Sequence, residues 1–322
     1  MAASDIPVSM LPTDTTAPSR RYRRLYRLTR PPPMVTWGKL GGIGLDPRVE
    51  AKAGKRTGNG HMPRITMDDG IGLYVEAAPD NGKPPLLFLN ALGSDHAMWD
   101  GQTPAFSEHF RIIRFDDRGH GQSDIPDMPY TIDRLGRDAR AVLEAFDIES
   151  AHIVGMSKGG MTAAWLGANS PEHVEKIVIS SSAPHLAPRD VWEGRANTAR
   201  NEGVEALVDA VVGRWLTDDF RARNPETVAR IRAMILGTSN AGYAACCEAL
   251  AEMDLRDDLE LIPVPTLVLC GDSDPGVQPN KTREWVATID GARLEVIRKA
   301  AHLTNVEQPE AFNRTVLEFL LT

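Results

Sequence analysis

Short apolar runs alternate with segments of helical length from about residue 71 to the end of the chain. Unbroken apolar runs predict strands buried on both faces, and apolar residues three and four positions apart predict amphipathic helices. These patterns predict an edge strand at 73–77 and further strands at 85–90, 111–116, 151–155, 174–181, 266–270 and 293–297. They also predict helices at 131–146, 159–168 and 310–321.

Strands separated by helices predict an α/β fold, with a mostly parallel central sheet and helices on both faces. The rhythm changes between 183 and 261, where no clear strand occurs and apolar residues recur at helical spacing. We interpret this segment as a helical lid insertion rather than as another layer of sheet. The predicted core therefore has two parts, 62–182 and 262–322.

Charge separates the first residues from the rest of the chain. Residues 1–61 hold 11 Lys and Arg against 4 Asp and Glu, with 7 Gly, 7 Pro and no amphipathic period. This composition predicts a basic, disordered arm or a leader, and a natural start at Met62 or Met67 is an alternative interpretation. The remaining residues hold 25 basic and 40 acidic side chains. Such an acidic body is a poor candidate for binding nucleic acid.

Composition also limits the other classes of protein. The chain has 322 residues, 42% of them hydrophobic and 25% charged, which is typical of a globular protein. No apolar run reaches the roughly 20 residues that a membrane-spanning helix needs. The 3 cysteines form no metal-binding pattern, so a reducing, cytoplasmic location is expected. Because no dinucleotide or phosphate-loop motif occurs, we expect neither a cofactor nor a metal. The oligomeric state stays open.

The pattern G-x-S-x-G occupies 155–159, between a predicted strand and a predicted helix. Glycines at these positions permit a tight turn that holds the Ser157 hydroxyl clear of the backbone. The turn also places that hydroxyl near a helix N-terminus, where partial positive charge favours a developing anion. Ser157 is therefore the candidate nucleophile.

A serine nucleophile needs a base that is oriented by a carboxylate. His302 lies in the predicted loop between the last strand and the last helix, and Asp274 lies just past the strand 266–270. Both loops leave the carboxyl edge of the sheet, where the sites of open α/β folds collect. Asp274 is favoured over the alternative acid, Asp272, because it directly precedes a proline.

Over roughly residues 65–322, the chain resembles the α/β-hydrolase superfamily. The motifs that carry this resemblance are 89–93, 116–123, the turn at Ser157, and the loops of Asp274 and His302. The chain order serine, acid, histidine is the order of that superfamily. Within it, the chain is similar to the 3-oxoadipate enol-lactonase group, on the stretches 90–95, 98–99, 129–132, 159–162 and 165–167.

The resemblance implies an oxyanion hole formed by two backbone N–H groups, those of Leu92 and Lys158. Lys158 departs from the pattern, because relatives usually carry an apolar residue there. A cation in the first turn of a helix is also disfavoured by the helix dipole. Two interpretations stay open: the ammonium reaches an acid such as Asp95 or Asp117, or it meets an anionic group on the substrate.

The predicted function is hydrolysis of a small ester or lactone through an acyl-enzyme, most similar to that of the enol-lactonases. The alternatives are a general carboxylesterase or acyl-lactone hydrolase, a carbon–carbon bond hydrolase, and a non-catalytic ligand receptor of the same fold. The substrate would be a small molecule. The candidate pocket residues are Asn90, Trp99, Trp192 and Trp215, and the cations that could receive a carboxylate are Arg195, Arg200 and Arg214.

Overall fold

A computed structural model describes residues 64–127, 129–186 and 188–322. The predicted basic arm, residues 1–61, lies outside the described residues. The strands are β1 (Arg64–Thr66), β2 (Gly72–Ala77), β3 (Pro85–Leu89), β4 (Arg111–Phe115), β5 (Ala151–Met156), β6 (Val174–Ser180), β7 (Thr266–Gly271) and β8 (Arg293–Ile297).

The described strands form one eight-stranded sheet in the order β1-β2-β4-β3-β5-β6-β7-β8. The pairs β1–β2 and β2–β4 are antiparallel, and the five remaining pairs are parallel. Every residue of β5 and β7 is buried, as expected for strands that are covered on both faces. The predicted α/β-hydrolase fold with a mostly parallel sheet is confirmed.

Helices connect the strands and cover the sheet. They are α1 (Thr103–Ser107), α2 (Ile132–Glu144), α3 (Lys158–Asn169), α4 (Arg189–Glu202), α5 (Val208–Trp215), α6 (Asp218–Arg223), α7 (Pro225–Leu236), α8 (Asn240–Glu252), α9 (Pro279–Val286), α10 (Thr304–Glu307) and α11 (Pro309–Leu320). None of the helices in the described part of the chain is long and apolar enough to cross a membrane.

One prediction about the sheet edge was wrong. The strand predicted at 73–77 is not at the edge, because β1 pairs outside it. β1 is only three residues long and its side chains are mostly exposed, so it leaves no periodic signal in the sequence. The short helices α1 and α9 were also not predicted.

The segment between β6 and β7 forms the five helices α4 to α8, which we call the helical insertion (residues 189–252). Within it, α4 and α8 pack against each other. The insertion contacts loops that follow strands of the sheet. At Gly119, an added Cβ would lie 2.5 Å from the Cα of Gly242 in α8, so the two backbones touch. This close contact places α8 against the loop that follows β4.

Candidate active site

Ser157 lies at the turn between β5 and α3. Its φ of 56° and ψ of −115° are uncommon for a residue with a side chain, which marks local backbone strain. A Cβ at Gly155 would lie 2.1 Å from the carbonyl oxygen of Gly159. A Cβ at Gly159 would lie 2.2 Å from the carbonyl oxygen of Leu89. The turn can therefore be this tight only because glycine occupies both positions.

His302 and Asp274 form a hydrogen-bonded pair, with 2.7 Å between Nδ1 and Oδ2. The other carboxylate oxygen of Asp274 accepts the backbone N–H groups of Gly276 (2.8 Å) and Val277 (3.0 Å). Burial alone would raise the pKa of Asp274, but His302 and the two backbone donors outweigh it and hold the pKa below its ordinary value. An ionised Asp274 accepts a hydrogen bond from the Nδ1–H of His302, which leaves the lone pair on Nε2 free to act as a base.

The alternative acid, Asp272, lies apart from this pair. Its side chain is exposed, and its Oδ1 accepts the Ser273 hydroxyl (2.8 Å) and the backbone N–H of Lys299 (2.9 Å). The structure thus brings His302 together with Asp274. Asp272 instead connects the loop after β7 to the turn after β8.

The loop of His302 is tied to the helical insertion. The backbone N–H groups of His302 (3.1 Å) and Leu303 (3.0 Å) both donate to the carbonyl of Trp215 at the end of α5. The buried carboxylate of Glu307 accepts the backbone N–H (2.9 Å) and the hydroxyl (2.7 Å) of Thr217. Sequence reasoning did not single out Glu307. The only signal was an acidic residue shortly after the candidate histidine.

The two backbone N–H groups predicted to form the oxyanion hole belong to the loop after β3 and to the start of α3. Leu92 lies in the loop after β3, and both it and Ser157 line one cavity. Lys158 is the first residue of α3, so its backbone N–H has no acceptor within the helix.

His120 fixes the loop that carries Leu92. Its Nε2 accepts the backbone N–H of Gly93 (3.1 Å), and its Nδ1 donates to the carbonyl of Arg118 (3.1 Å). This arrangement requires a neutral imidazole. Burial, together with the positive charge of Lys158, lowers the pKa of His120 to about 4, which keeps it neutral.

A cavity of about 350 Å³ opens at Ser157, His302 and Asp274. Two of the four candidate pocket residues, Trp192 and Trp215 of the helical insertion, line this cavity.

The other two candidate pocket residues, Asn90 and Trp99, are not among the described residues that line it. Trp99 is fully buried and stacks on Phe88 with 4.5 Å between ring centroids. Its indole N–H donates to Oδ1 of Asn90 (3.0 Å). Both side chains are therefore part of the packed core beneath the loop.

Arginines from the insertion add positive charge to the cavity wall. Arg195 and Arg214 line the cavity, and neither forms an ion pair among the described residues. The Arg195 guanidinium lies over the Trp192 ring, 4.7 Å from its centroid, and it also donates to the Tyr243 hydroxyl. The third candidate, Arg200, lies off the cavity.

The side chain of Lys158 is fully buried and forms an ion pair with Asp117, with 2.7 Å between Nζ and Oδ2. Of the two interpretations left open by the sequence, the structure places the ammonium against this acid and not in the cavity. Asp95 is engaged elsewhere, because its Oδ1 accepts the backbone N–H of Ala97 (2.9 Å).

One cluster in the described residues has the ligand types of a metal site. The candidate ligand atoms of Asp95, His96 and Asp116 lie within 4.8 Å of one another. Oδ1 of Asp116 is bonded to both the backbone N–H (2.8 Å) and Nδ1 (2.7 Å) of His96, while Asp95 caps the same turn. These hydrogen bonds account for the cluster as a fixed turn in the fold.

Comparison with known proteins bears on this geometry. Residues 84–309 match the family model described as the alpha/beta hydrolase fold. The chain belongs to this family.

Relatives within the family include lactonases. The 3-oxoadipate enol-lactonase 2 of Acinetobacter baylyi is 37% identical over 252 residues, which cover 78% of this chain and 94% of that protein. A putative carbamate hydrolase, RutD, of Caulobacter sp. is 28% identical over 263 residues, covering 78% of this chain and 96% of that protein. The solved enol-lactonase of Burkholderia xenovorans is 37% identical with a TM-score of 0.78, covering 81% of this chain and 100% of that one. The resemblance to the enol-lactonase group is confirmed.

Proposed function

We propose that this α/β hydrolase opens a small anionic lactone, of the 3-oxoadipate enol-lactone type, through an acyl-enzyme. One observation carries the proposal. A strained serine, a histidine–carboxylate pair and two arginines without ion-pair partners among the described residues line a single cavity. The 37% sequence identity with enol-lactonases, which extends over most of both chains, supports the choice of a lactone substrate.

The reaction proceeds in two halves. The Ser157 hydroxyl attacks the lactone carbonyl while Nε2 of His302 takes the hydroxyl proton. The ring C–O bond then breaks, and His302 returns the proton to the departing enol oxygen, which stays attached to the acyl chain. In the second half, His302 takes a proton from water, the water oxygen attacks the ester, and Ser157 leaves with that proton. Asp274 holds the imidazole tautomer and stabilises the imidazolium in both halves.

The negative charge on the carbonyl oxygen forms next to the start of α3. The backbone N–H groups of Leu92 and Lys158 receive this oxyanion. Loss of one such donor typically costs about 3 kcal/mol of transition-state stabilisation. The strain at Ser157 serves this arrangement, because it keeps the hydroxyl on the cavity side of the turn.

Charge in the cavity supports an anionic substrate. Arg195 and Arg214 offer guanidinium groups to a carboxylate, and the acid that shares the cavity, Asp274, is already bonded to His302. A volume of about 350 Å³ fits a small molecule. A reducing, cytoplasmic location is part of the proposal, since Cys246, Cys247 and Cys270 are free and buried.

A second candidate is a general carboxylesterase or acyl-lactone hydrolase. The apolar part of the cavity wall favours it, because Leu186, Val191 and Trp192 would accept an uncharged acyl chain. The solved structure of an N-acyl homoserine lactone degrading enzyme is 27% identical with a TM-score of 0.70, covering 80% of this chain and 100% of that one.

Two measurements separate the candidates. Turnover of the enol-lactone, followed as loss of its ultraviolet absorbance, is compared with turnover of nitrophenyl acetate. Ser157→Ala should abolish both, with a loss of kcat on the order of 10⁶-fold, and should remove labelling by a fluorophosphonate. An inert enol-lactone beside robust ester turnover would favour the second candidate.

The arginines provide the second test. Arg214→Gln should raise KM for the enol-lactone by about tenfold or more, because a charge-assisted hydrogen bond is lost, and leave KM for nitrophenyl acetate unchanged. Arg200→Gln is the matched control, since Arg200 pairs with Glu248 away from the cavity. Equal effects of the two variants would contradict carboxylate binding by Arg214.

A further inference from the structure

Lys158 carries a buried charge directly beside the nucleophile. Its side chain and that of Asp117 have exposed fractions of 0% and 3%. Taking both charges out of water is costly, and an apolar pair of the same size is often as stable or more so. The position adds a further cost, because a cation in the first turn opposes the helix dipole. Stability alone therefore does not explain why a lysine occupies this position.

The ion pair joins α3 to the loop that follows β4. Asp117 lies in that loop, and its Oδ2 is 3.5 Å from Nδ2 of Asn90. Asn90 begins the neighbouring loop, which carries Leu92 two residues later, and its Nδ2 also donates to the carbonyl of Phe115 (2.6 Å). Lys158 is thus connected through one carboxylate to the start of the loop with the second oxyanion donor.

The far side of the same loop depends on Lys158 as well. The backbone N–H of His120 donates to the carbonyl of Asp117 (2.9 Å), and the imidazole accepts the N–H of Gly93. Three charges act on this imidazole. Lys158 lowers the pKa of His120, whereas Asp116 and Asp117 raise it. Burial is the largest influence and lowers this pKa, and the charge of Lys158 acts in the same direction against the two carboxylates, so that a neutral Nε2 accepts the N–H of Gly93.

The helix that offers the first oxyanion donor also packs against the second loop. A Cβ at Gly159 would lie 2.9 Å from the backbone nitrogen of Asn90, so the two segments are in contact. Small displacements between them would change the distance between the two N–H donors. Misplacement of about 1 Å in an active site can cost on the order of 10²-fold in rate.

We propose that the side chain of Lys158 is a positioning residue for the oxyanion hole: its ion pair with Asp117 fixes the loop of Leu92 relative to the backbone N–H of Lys158 itself. The proposal rests on the proposed function, because it takes Ser157 as the nucleophile. The ammonium does not touch the substrate and acts through Asp117, Asn90 and His120.

Lys158→Met removes the charge and keeps an unbranched side chain. We expect kcat to fall by roughly 10- to 100-fold with KM unchanged, because only the transition state uses the oxyanion hole. The affinity of an alkyl boronic acid, whose tetrahedral serine adduct places an oxygen in the hole, should fall by the same factor. The affinity of acetate, as a simple carboxylate product, should not change.

Lys176→Met is the matched control. Lys176 is a half-buried lysine of β6 that donates to the carbonyls of Phe319 (3.1 Å) and Leu320 (3.2 Å), away from the cavity. Its loss should lower the melting temperature and leave kcat and boronic acid affinity unchanged. A merely structural role of Lys158 would give the same result as this control.

The double variant Lys158→Met/Asp117→Asn removes both charges and covers the case in which the single variant does not fold. Its kcat should remain about tenfold below that of the original enzyme, since the link between helix and loop is still missing. Original kcat in either folded variant would overturn the proposal. Absence of fluorophosphonate labelling at Ser157 in the unsubstituted enzyme would instead overturn the proposed function, which distinguishes the two failures.

Discussion

The two walls of the cavity are built in different ways. The wall from the sheet carries Ser157, Asp274 and His302, and backbone packing or hydrogen bonds hold each of these positions. The wall from the helical insertion carries Arg195, which is half-buried, and Arg214, which is exposed. The side chains that take part in bond making and breaking are thus held by rigid elements of the sheet. The ends of long, flexible side chains contact the rest of the substrate.

This difference predicts how variants should divide. Changes in the sheet wall should lower kcat or unfold the protein, because the chemistry and the packing share the same backbone. Changes in the insertion wall should raise KM for one class of substrate and leave the folding stability almost unchanged. The predictions that follow test this division, from the largest expected effect to the smallest.

After the loss of Ser157 itself, the largest effect is expected at Asp274. Asp274→Asn keeps the size of the side chain but no longer holds the productive tautomer of His302, so kcat should fall by about 10⁴-fold. Asp272→Asn is the control, since Asp272 is exposed and its carboxylate accepts hydrogen bonds from Ser273 and Lys299. Steady-state kinetics on both substrates measure the two variants. A large loss of kcat in Asp272→Asn with an active Asp274→Asn would reverse the assignment of the acid.

The same substitution at two glycines should have opposite effects on stability. Gly155→Ala places a Cβ 2.1 Å from a backbone oxygen that cannot move freely, so we expect a loss of about 3 kcal/mol or more in the free energy of unfolding. Gly213→Ala, in helix α5 of the insertion, meets nothing within 4 Å and should add about 0.5–1 kcal/mol. Urea denaturation measures both values. A stable Gly155→Ala would show that the turn is looser than described.

The buried His120 predicts a specific dependence of stability on pH. Its pKa is about 4 in the folded protein and near 6.5 when unfolded, so between these values the unfolded chain binds a proton that the folded protein does not. Stability should therefore fall as the pH drops from about 6.5 to about 4, by about 3 kcal/mol in total. Above pH 6.5 the group contributes no slope.

His120→Gln provides the comparison for this slope, because an amide oxygen can still accept the N–H of Gly93 but does not titrate. The difference in unfolding free energy between the two proteins should change across this pH range and be constant above it. A constant difference from pH 4 to pH 8 would show that His120 titrates normally, and would weaken its role in fixing the loop.

The sequence predicted the sheet wall better than the insertion wall, for a physical reason. Ser157, Asp274 and His302 each lie in the turn or loop that follows a strand, and the ends of parallel strands meet at one edge of the sheet. A residue that is placed by strand order needs no knowledge of packing. For this reason the three side chains could be brought together from the order of elements alone.

Side chains whose position depends on helix packing could not be placed in this way. Asn90 and Trp99 also follow a strand, but they turn towards the core and bond to each other. No sequence pattern distinguished Arg195, Arg200 and Arg214 from one another. Only the packing of the helical insertion brings Arg195 and Arg214 to the cavity. The partner of Lys158 stayed open because Asp117 lies 41 positions away and no local pattern joins them.

Deletion of residues 1–61 should have the smallest effect. All described residues that line the cavity have positions from 92 onward, and 252 residues of this chain match 94% of an enol-lactonase relative. We therefore expect kcat and KM of the shortened protein to equal those of the full chain, for the enol-lactone and for nitrophenyl acetate. Circular dichroism would show that the shortened protein is folded. If a folded, shortened protein bound the enol-lactone more weakly and the neutral ester equally well, the basic arm would form a third wall that recognises charge, and the division between sheet and insertion would be incomplete.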